Sequence, residues 1–192
     1  MKRKILWVLL LLCTLVFTAC GKENITEAEV REVLPTLVEN SVTLNEIYFG
    51  EGFVPDANLE SNVSGYYYAN SMAAGFASIS EIKDATEAVF TPEYAAILYG
   101  AAFEGMHTDT SVVAPRYVEG EMGILQSMHA VVYALPVREY LYDTVQIVEK
   151  GTERTTISVD TVANGETVTV QLLLVRTETL DGYKYRLDSP TY

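Results

Sequence analysis

Two histidines, His107 and His129, are the side chains best placed to exchange protons near neutral pH. His129 lies in Gly123–Leu135, a stretch that alternates as a strand does, so Leu125, Val131 and Tyr133 should share its face. On a pocket wall, His129 and Tyr133 could act as a general acid/base pair on a small substrate. The plain alternative is a core or surface histidine without chemistry. His107 sits in the polar connection Gly105–Asp109, where Asp109 imitates the end of a relay but a solvated loop fits better. The chain also carries 13 tyrosines. Tyr66, Tyr67, Tyr68, Tyr94, Tyr99, Tyr117 and Tyr133 are candidate pocket or interface residues. Of these, Tyr66, Tyr68, Tyr94, Tyr117 and Tyr133, together with His129, form the expected ligand-binding set. A tyrosine offers a large ring with a polar tip, which suits glycan or peptide contact and equally suits the edge of a core.

Other chemistries lack their residues. No HExxH or related spacing is present, and a zinc site would need His107, His129 and a carboxylate to converge from distant segments. Glu51, Asp56 and Glu60 are spread through a loop without the calcium-binding pattern. There is no GxSxG elbow, phosphate loop or dinucleotide fingerprint. Glu119 and Glu121 are a carboxylate pair of the kind glycosidases use, but they sit at a hairpin tip and read as a solvated turn. No cofactor or metal is expected.

The N-terminus has the anatomy of a secretory leader. Lys2, Arg3 and Lys4 precede the uncharged, mostly apolar run Ile5–Phe17, and small residues follow up to Cys20. That run is shorter than the roughly 20 residues a spanning helix requires. The ending Phe17-Thr18-Ala19-Cys20-Gly21 resembles a lipobox, the motif of bacterial lipoproteins, with Phe17 where that family more often has Leu. The resemblance implies a signal peptide over residues 1–19, lipid on Cys20, a tether over 20–25, and an address on the outer face of the cytoplasmic membrane. Cys13 would leave with the leader and Cys20 would carry lipid, so the folded part has no disulfide and no cysteine nucleophile. All 26 acidic residues follow Cys20, and the full chain has a net charge of −13. Such a chain repels phosphate backbones, which argues against nucleic-acid binding.

The elements that would position these residues follow from local signals. Thr26 and Glu29 have capping-box spacing ahead of the apolar stripe Val30, Val33, Leu34, Leu37, Val38, Leu44, Ile47 and Tyr48. Pro35 should kink that helix or split it, and Gly50 and Gly52 should stop it. Residues 51–65 read as loop and Tyr66–Tyr68 as a short strand. Ser78 with Glu81, and Thr91-Pro92-Glu93, should open two small helices. Strands are expected over Ser111–Val118 (with Pro115 at an edge or bulge), Gly123–Leu135, Tyr142–Glu149, Arg154–Val162, Thr167–Thr177 and Tyr183–Asp188. Their joints include Asn164-Gly165 and Asp181-Gly182.

Helices followed by about six antiparallel strands make an α+β pattern in a single domain over residues 26–192, with the first helix covering a curved sheet. Two stretches, Ser80–Tyr94 and Leu180–Tyr192, resemble the paired short helices and the last strand of the NTF2-like (cystatin-like) fold. The resemblance implies a helix held in a cone of sheet, a build that hosts both enzymes and binding proteins. The chain, including Tyr48-Phe49-Gly50-Glu51-Gly52, also resembles uncharacterised lipoproteins of Gram-positive bacteria. The resulting expectation is a lipid-anchored, extracytoplasmic, non-catalytic binding module for a cell-envelope protein, a peptide or a small ligand. The alternative is a lyase- or isomerase-type enzyme using His129 and Tyr133.

Overall fold

The computed structural model describes residues 24–107 and 112–192. Helix α1 (Glu27–Tyr48) begins at the expected capping box. The Thr26 amide donates to Glu29 Oε2 at 2.7 Å, and the Glu29 amide donates to Thr26 Oγ1 at 3.3 Å. Pro35 does not split it; the helix is one 22-residue element. Losing an amide to proline costs about 3 kcal/mol. Each fully buried aliphatic side chain contributes about 1.5–3 kcal/mol, and Val30, Leu34, Leu37, Val38, Leu44 and Ile47 are all buried along the same helix. Packing on both sides of Pro35 therefore outweighs the local break.

After α1 come β1 (Tyr66–Tyr68), a 3-10 turn (Ser71–Ala74), α2 (Ile79–Val89), α3 (Pro92–Tyr99) and a π-turn (Gly100–Glu104). The α2 and α3 caps are those expected. Ser78 Oγ accepts the Glu81 amide, and Thr91 Oγ1 accepts the Tyr94 amide ahead of Pro92. The strands that follow are β2 (Met106–His107), β3 (Val112–Val113), β4 (Tyr117–Gly120), β5 (Gly123–Ser127), β6 (Glu139–Glu149), β7 (Arg154–Ala163), β8 (Glu166–Thr179) and β9 (Gly182–Leu187).

The fold is α+β, but the strands do not form one sheet of about six. They divide into an antiparallel three-stranded sheet in the order β1-β5-β4, an antiparallel β2-β3 pair, and a four-stranded antiparallel meander β6-β7-β8-β9. The division follows from two strands that end early. The stretch expected as Gly123–Leu135 stops at Ser127, whose hydroxyl accepts the His129 amide at 3.2 Å and turns the chain away. Residues 128–138 then run without strand structure. The stretch expected as Ser111–Val118 is interrupted around Pro115, which cannot donate to a ladder, and resumes at Tyr117.

The meander is held in register by its turns. Asn164 (φ 53°) and Gly165 (φ 81°) supply the two positive φ angles that a tight β7–β8 hairpin needs. Ile157 pairs with Leu172 and Val159 with Val170. The predicted alternation in β8 buries Leu172 and Leu174, whereas Val168, near the hairpin tip, is exposed. Helix α1 lies against this sheet: Arg31 donates to Val145 O at 3.0 Å, and the Tyr185 hydroxyl donates to Glu29 Oε1 at 3.0 Å. Val30, Leu34 and Leu37 share a core with Val145, Ile157, Leu172, Leu174 and Leu187. The same core continues through Ile47 and Tyr48 to Tyr117 and Ile124 of the three-stranded sheet. The chain end is tied back to α1, since Thr191 meets Ser41 Oγ at 2.6 Å and Asn45 Nδ2 at 2.9 Å.

Candidate functional site

A cavity of about 530 Å³ opens where the C-terminal end of α1 meets the three-stranded sheet. Its size is in the range usual for small-ligand sites. Tyr48 and Phe49, the last turn of α1, supply one part of the lining. Gly65 and Tyr66 at the start of β1, Ala101 in the π-turn, and Val113 and Ala114 before β4 supply another. Arg116, Ser127, His129, Val131 and Tyr133 complete it.

The segment after β5 is held in place by backbone bonds. The Met128 amide donates to Gly65 O at 2.9 Å, and the Tyr133 amide donates to Phe49 O at 2.8 Å. The Tyr133 ring meets Phe49 edge-on, with centroids 6.4 Å apart, and Phe49 also packs on Tyr192 and Tyr48. Val131 and Tyr133 are nevertheless more than half exposed, so apolar and aromatic surface stands open to solvent at the rim. The Tyr66 hydroxyl donates to Pro115 O at 2.6 Å, and burial pushes its pKa up. Burial does the same to Tyr48, whose hydroxyl pairs with Thr86 Oγ1 at 2.8 Å.

Arg116 is 6% exposed. Its Nε donates to the Tyr117 hydroxyl at 3.2 Å, one terminal nitrogen donates to Val131 O at 2.9 Å, and the other donates to Gly50 O. These bonds clasp the end of α1 to the segment after β5. They are made to neutral partners; among the described residues no carboxylate forms an ion pair with Arg116.

The expected residues separate into two groups. Tyr66, His129 and Tyr133 come together on this cavity. His129 and Tyr133 do so from an irregular segment, which corrects the expectation that they share a strand face with Leu125; Leu125 is buried in β5. His129 is exposed and lies against Gly65. Among the described residues neither the His129 ring nor the Tyr133 hydroxyl has a hydrogen-bond partner, so the two are not joined as a relay. Tyr68, Tyr94 and Tyr117 lie outside the cavity. Tyr117 is fully buried, donates to Ile47 O at 2.7 Å, and has its pKa pushed up to about 12 by burial. Tyr68 is buried beside Gly120. Tyr94 packs on Phe90 with centroids 5.1 Å apart, and burial together with Tyr192 pushes its hydroxyl up.

His107 belongs to β2, whereas Asp109 and the expected lipid-bearing Cys20 lie outside the described residues. Glu119 is occupied structurally, since it accepts the Ile79 amide at 2.6 Å at the start of α2. Asp56 accepts the Asn58 amide within its own loop. Among the described residues no three His, Cys, Asp or Glu side chains gather in a metal-binding arrangement, and no helix is long and apolar enough to cross a membrane.

Tyr48, Phe49 and Arg116 are among the lining residues that sequence reasoning passes over as site residues. The signal for Arg116 is faint: one cation inside the apolar run Val112-Val113-Ala114-Pro115-Arg116-Tyr117-Val118. Comparison with protein-family models, with curated proteins and with solved structures finds no match.

Proposed function

We propose that this chain is a lipid-anchored, extracytoplasmic, non-catalytic binding module of the cell envelope, built on the NTF2-like plan of a long helix over a curved sheet. Its ligand, a small molecule or the end of a peptide, enters the aromatic-rimmed cavity at the end of α1. The observation that supports this reading is the cavity itself: about 530 Å³, walled by Tyr48, Phe49, Tyr66 and Tyr133, with exposed apolar surface at its mouth. The leader-like residues 1–19 ahead of Cys20 support the address.

The anchor and the cavity belong to opposite ends of α1. The tether reaches its N-terminal end, and 22 helical residues at 1.5 Å each put about 33 Å between the two ends. An anchor at Cys20 would thus join the fold through the end of α1 opposite the cavity.

Two experiments test the reading. Calorimetric titration with 1-naphthylacetamide, a neutral aromatic probe, should show saturable binding to the wild-type protein and none to Ala101→Trp, whose indole would fill the cavity. No saturable binding of either this probe or its carboxylate analogue, 1-naphthylacetate, to the wild type contradicts the reading. For the address, Cys20→Ala should release the protein from the membrane fraction or leave it unprocessed; an unchanged lipidated membrane form contradicts the anchor.

One observation favours the enzyme alternative, namely that His129 and Tyr133 line the same cavity. Turnover of a cavity ligand by the wild type that is lost in His129→Ala would favour the lyase or isomerase reading over the binding one.

A further inference from the structure

From the state of Arg116 we infer that the cavity selects ligands carrying a carboxylate on a flat aromatic or apolar body. This inference rests on the binding reading above and names the ligand class.

A guanidinium carries five N–H donors, two on each terminal nitrogen and one on Nε. Arg116 uses three of them, on Tyr117 Oη, Val131 O and Gly50 O, which leaves one N–H on each terminal nitrogen. A bidentate pair with the two oxygens of a carboxylate requires one such N–H on each terminal nitrogen. The side chain is more than nine-tenths buried, lines the cavity, and has no carboxylate ion-paired to it among the described residues. A buried cation without a counter-charge is costly, and an anion entering the cavity relieves that cost.

The surroundings support the same ligand class. The chain as a whole has net charge −13, so anions are repelled except where a local cation gathers them. Beside Ser127 and His129, the cavity walls include rings and small apolar side chains, Phe49, Tyr66, Tyr133, Val113 and Ala101 among them, which suit a flat or apolar body. The backbone bonds to Val131 and Gly50 fix the guanidinium, so little side-chain entropy remains to be lost on binding.

The test compares two probes of nearly the same shape, 1-naphthylacetate and 1-naphthylacetamide, by calorimetric titration of the intact protein. A charge-assisted bidentate pair should make the carboxylate bind about tenfold or more tightly than the amide. Arg116→Gln should erase that difference by weakening the carboxylate alone, and Arg116→Lys should keep part of it. Because Arg116 also clasps two loops, each variant is first checked for a wild-type circular-dichroism spectrum. The comparison of the two probes on the wild type stands even if both variants misfold. Equal affinity of the two probes for the wild type overturns the carboxylate inference and leaves the cavity reading intact. Binding of neither probe overturns both.

Discussion

Tyr117 shows how one hydroxyl can hold the site together from outside it. It donates to Ile47 O at the end of α1 and accepts from Arg116 Nε, so it joins the helix, the β4 strand and the cavity cation. Gly52 (φ 75°) passes so close that a Cβ there would collide with the Tyr117 hydroxyl and with the Gln126 amide group, which explains why a glycine ends the Tyr48–Gly52 stretch. Tyr117→Phe leaves a buried carbonyl and a buried N–H unpaired. It should cost about 1–3 kcal/mol of stability, read as a lower urea midpoint at unchanged slope. Folding raises the Tyr117 pKa from its ordinary 10.0 to about 12, so the neutral form is favoured in the fold. The linked stabilisation is therefore complete below pH 10 and is lost as pH rises toward about 12, and Tyr117→Phe should lessen that alkaline loss. At this scale the sequence shows which residues have suitable chemistry but not their partners. Tyr66, His129 and Tyr133 stand out by type and meet on the cavity. Arg116 does not stand out, because its partners are backbone carbonyls at Gly50 and Val131 that leave no trace in residue identity.

Helix α1 carries the main argument at the level of elements. Its first turn is stabilised by Thr26, whose hydrogen bonds hold the Glu29 carboxyl below its ordinary value of 4.5, with the Tyr185 hydroxyl and Arg176 acting in the same direction. A lowered folded-state pKa contributes stability that is present above the ordinary carboxylate range and is lost as pH falls through the folded value. Glu29→Gln should therefore flatten the decline in Tm below pH 4.5 while leaving the alkaline side unchanged; an unaltered acid limb would contradict the capping-box contribution. Elements with local signals are legible in the chain: the caps at Thr26, Ser78 and Thr91, and the Asn164-Gly165 turn, act over three or four residues. Where distant packing or one side-chain bond decides, the pattern misleads. Pro35 does not split α1, because burial on both sides carries the helix past it, and the apolar run after Gly123 looks like strand until the Ser127 hydroxyl captures the His129 amide.

In the whole molecule, that turn at Ser127 also creates the site. Had Gly123–Leu135 continued as one strand, residues 129–133 would have been committed to a sheet ladder. Instead they fold over the end of α1 and close a cavity with Arg116 as its buried cation. The division of the strands into separate sheets and the shape of this pocket are thus one event: a single sheet running through Gly123–Leu135 would put His129 and Tyr133 on a strand face, not on an irregular segment over the end of α1. The account is tested most directly by the crystal structure of the protein grown with 1-naphthylacetate. It predicts the naphthyl ring against Phe49 and Tyr133 and the carboxylate within hydrogen-bond distance of the two terminal nitrogens of Arg116. A probe bound elsewhere, or a cavity that stays empty at saturating probe, would contradict it.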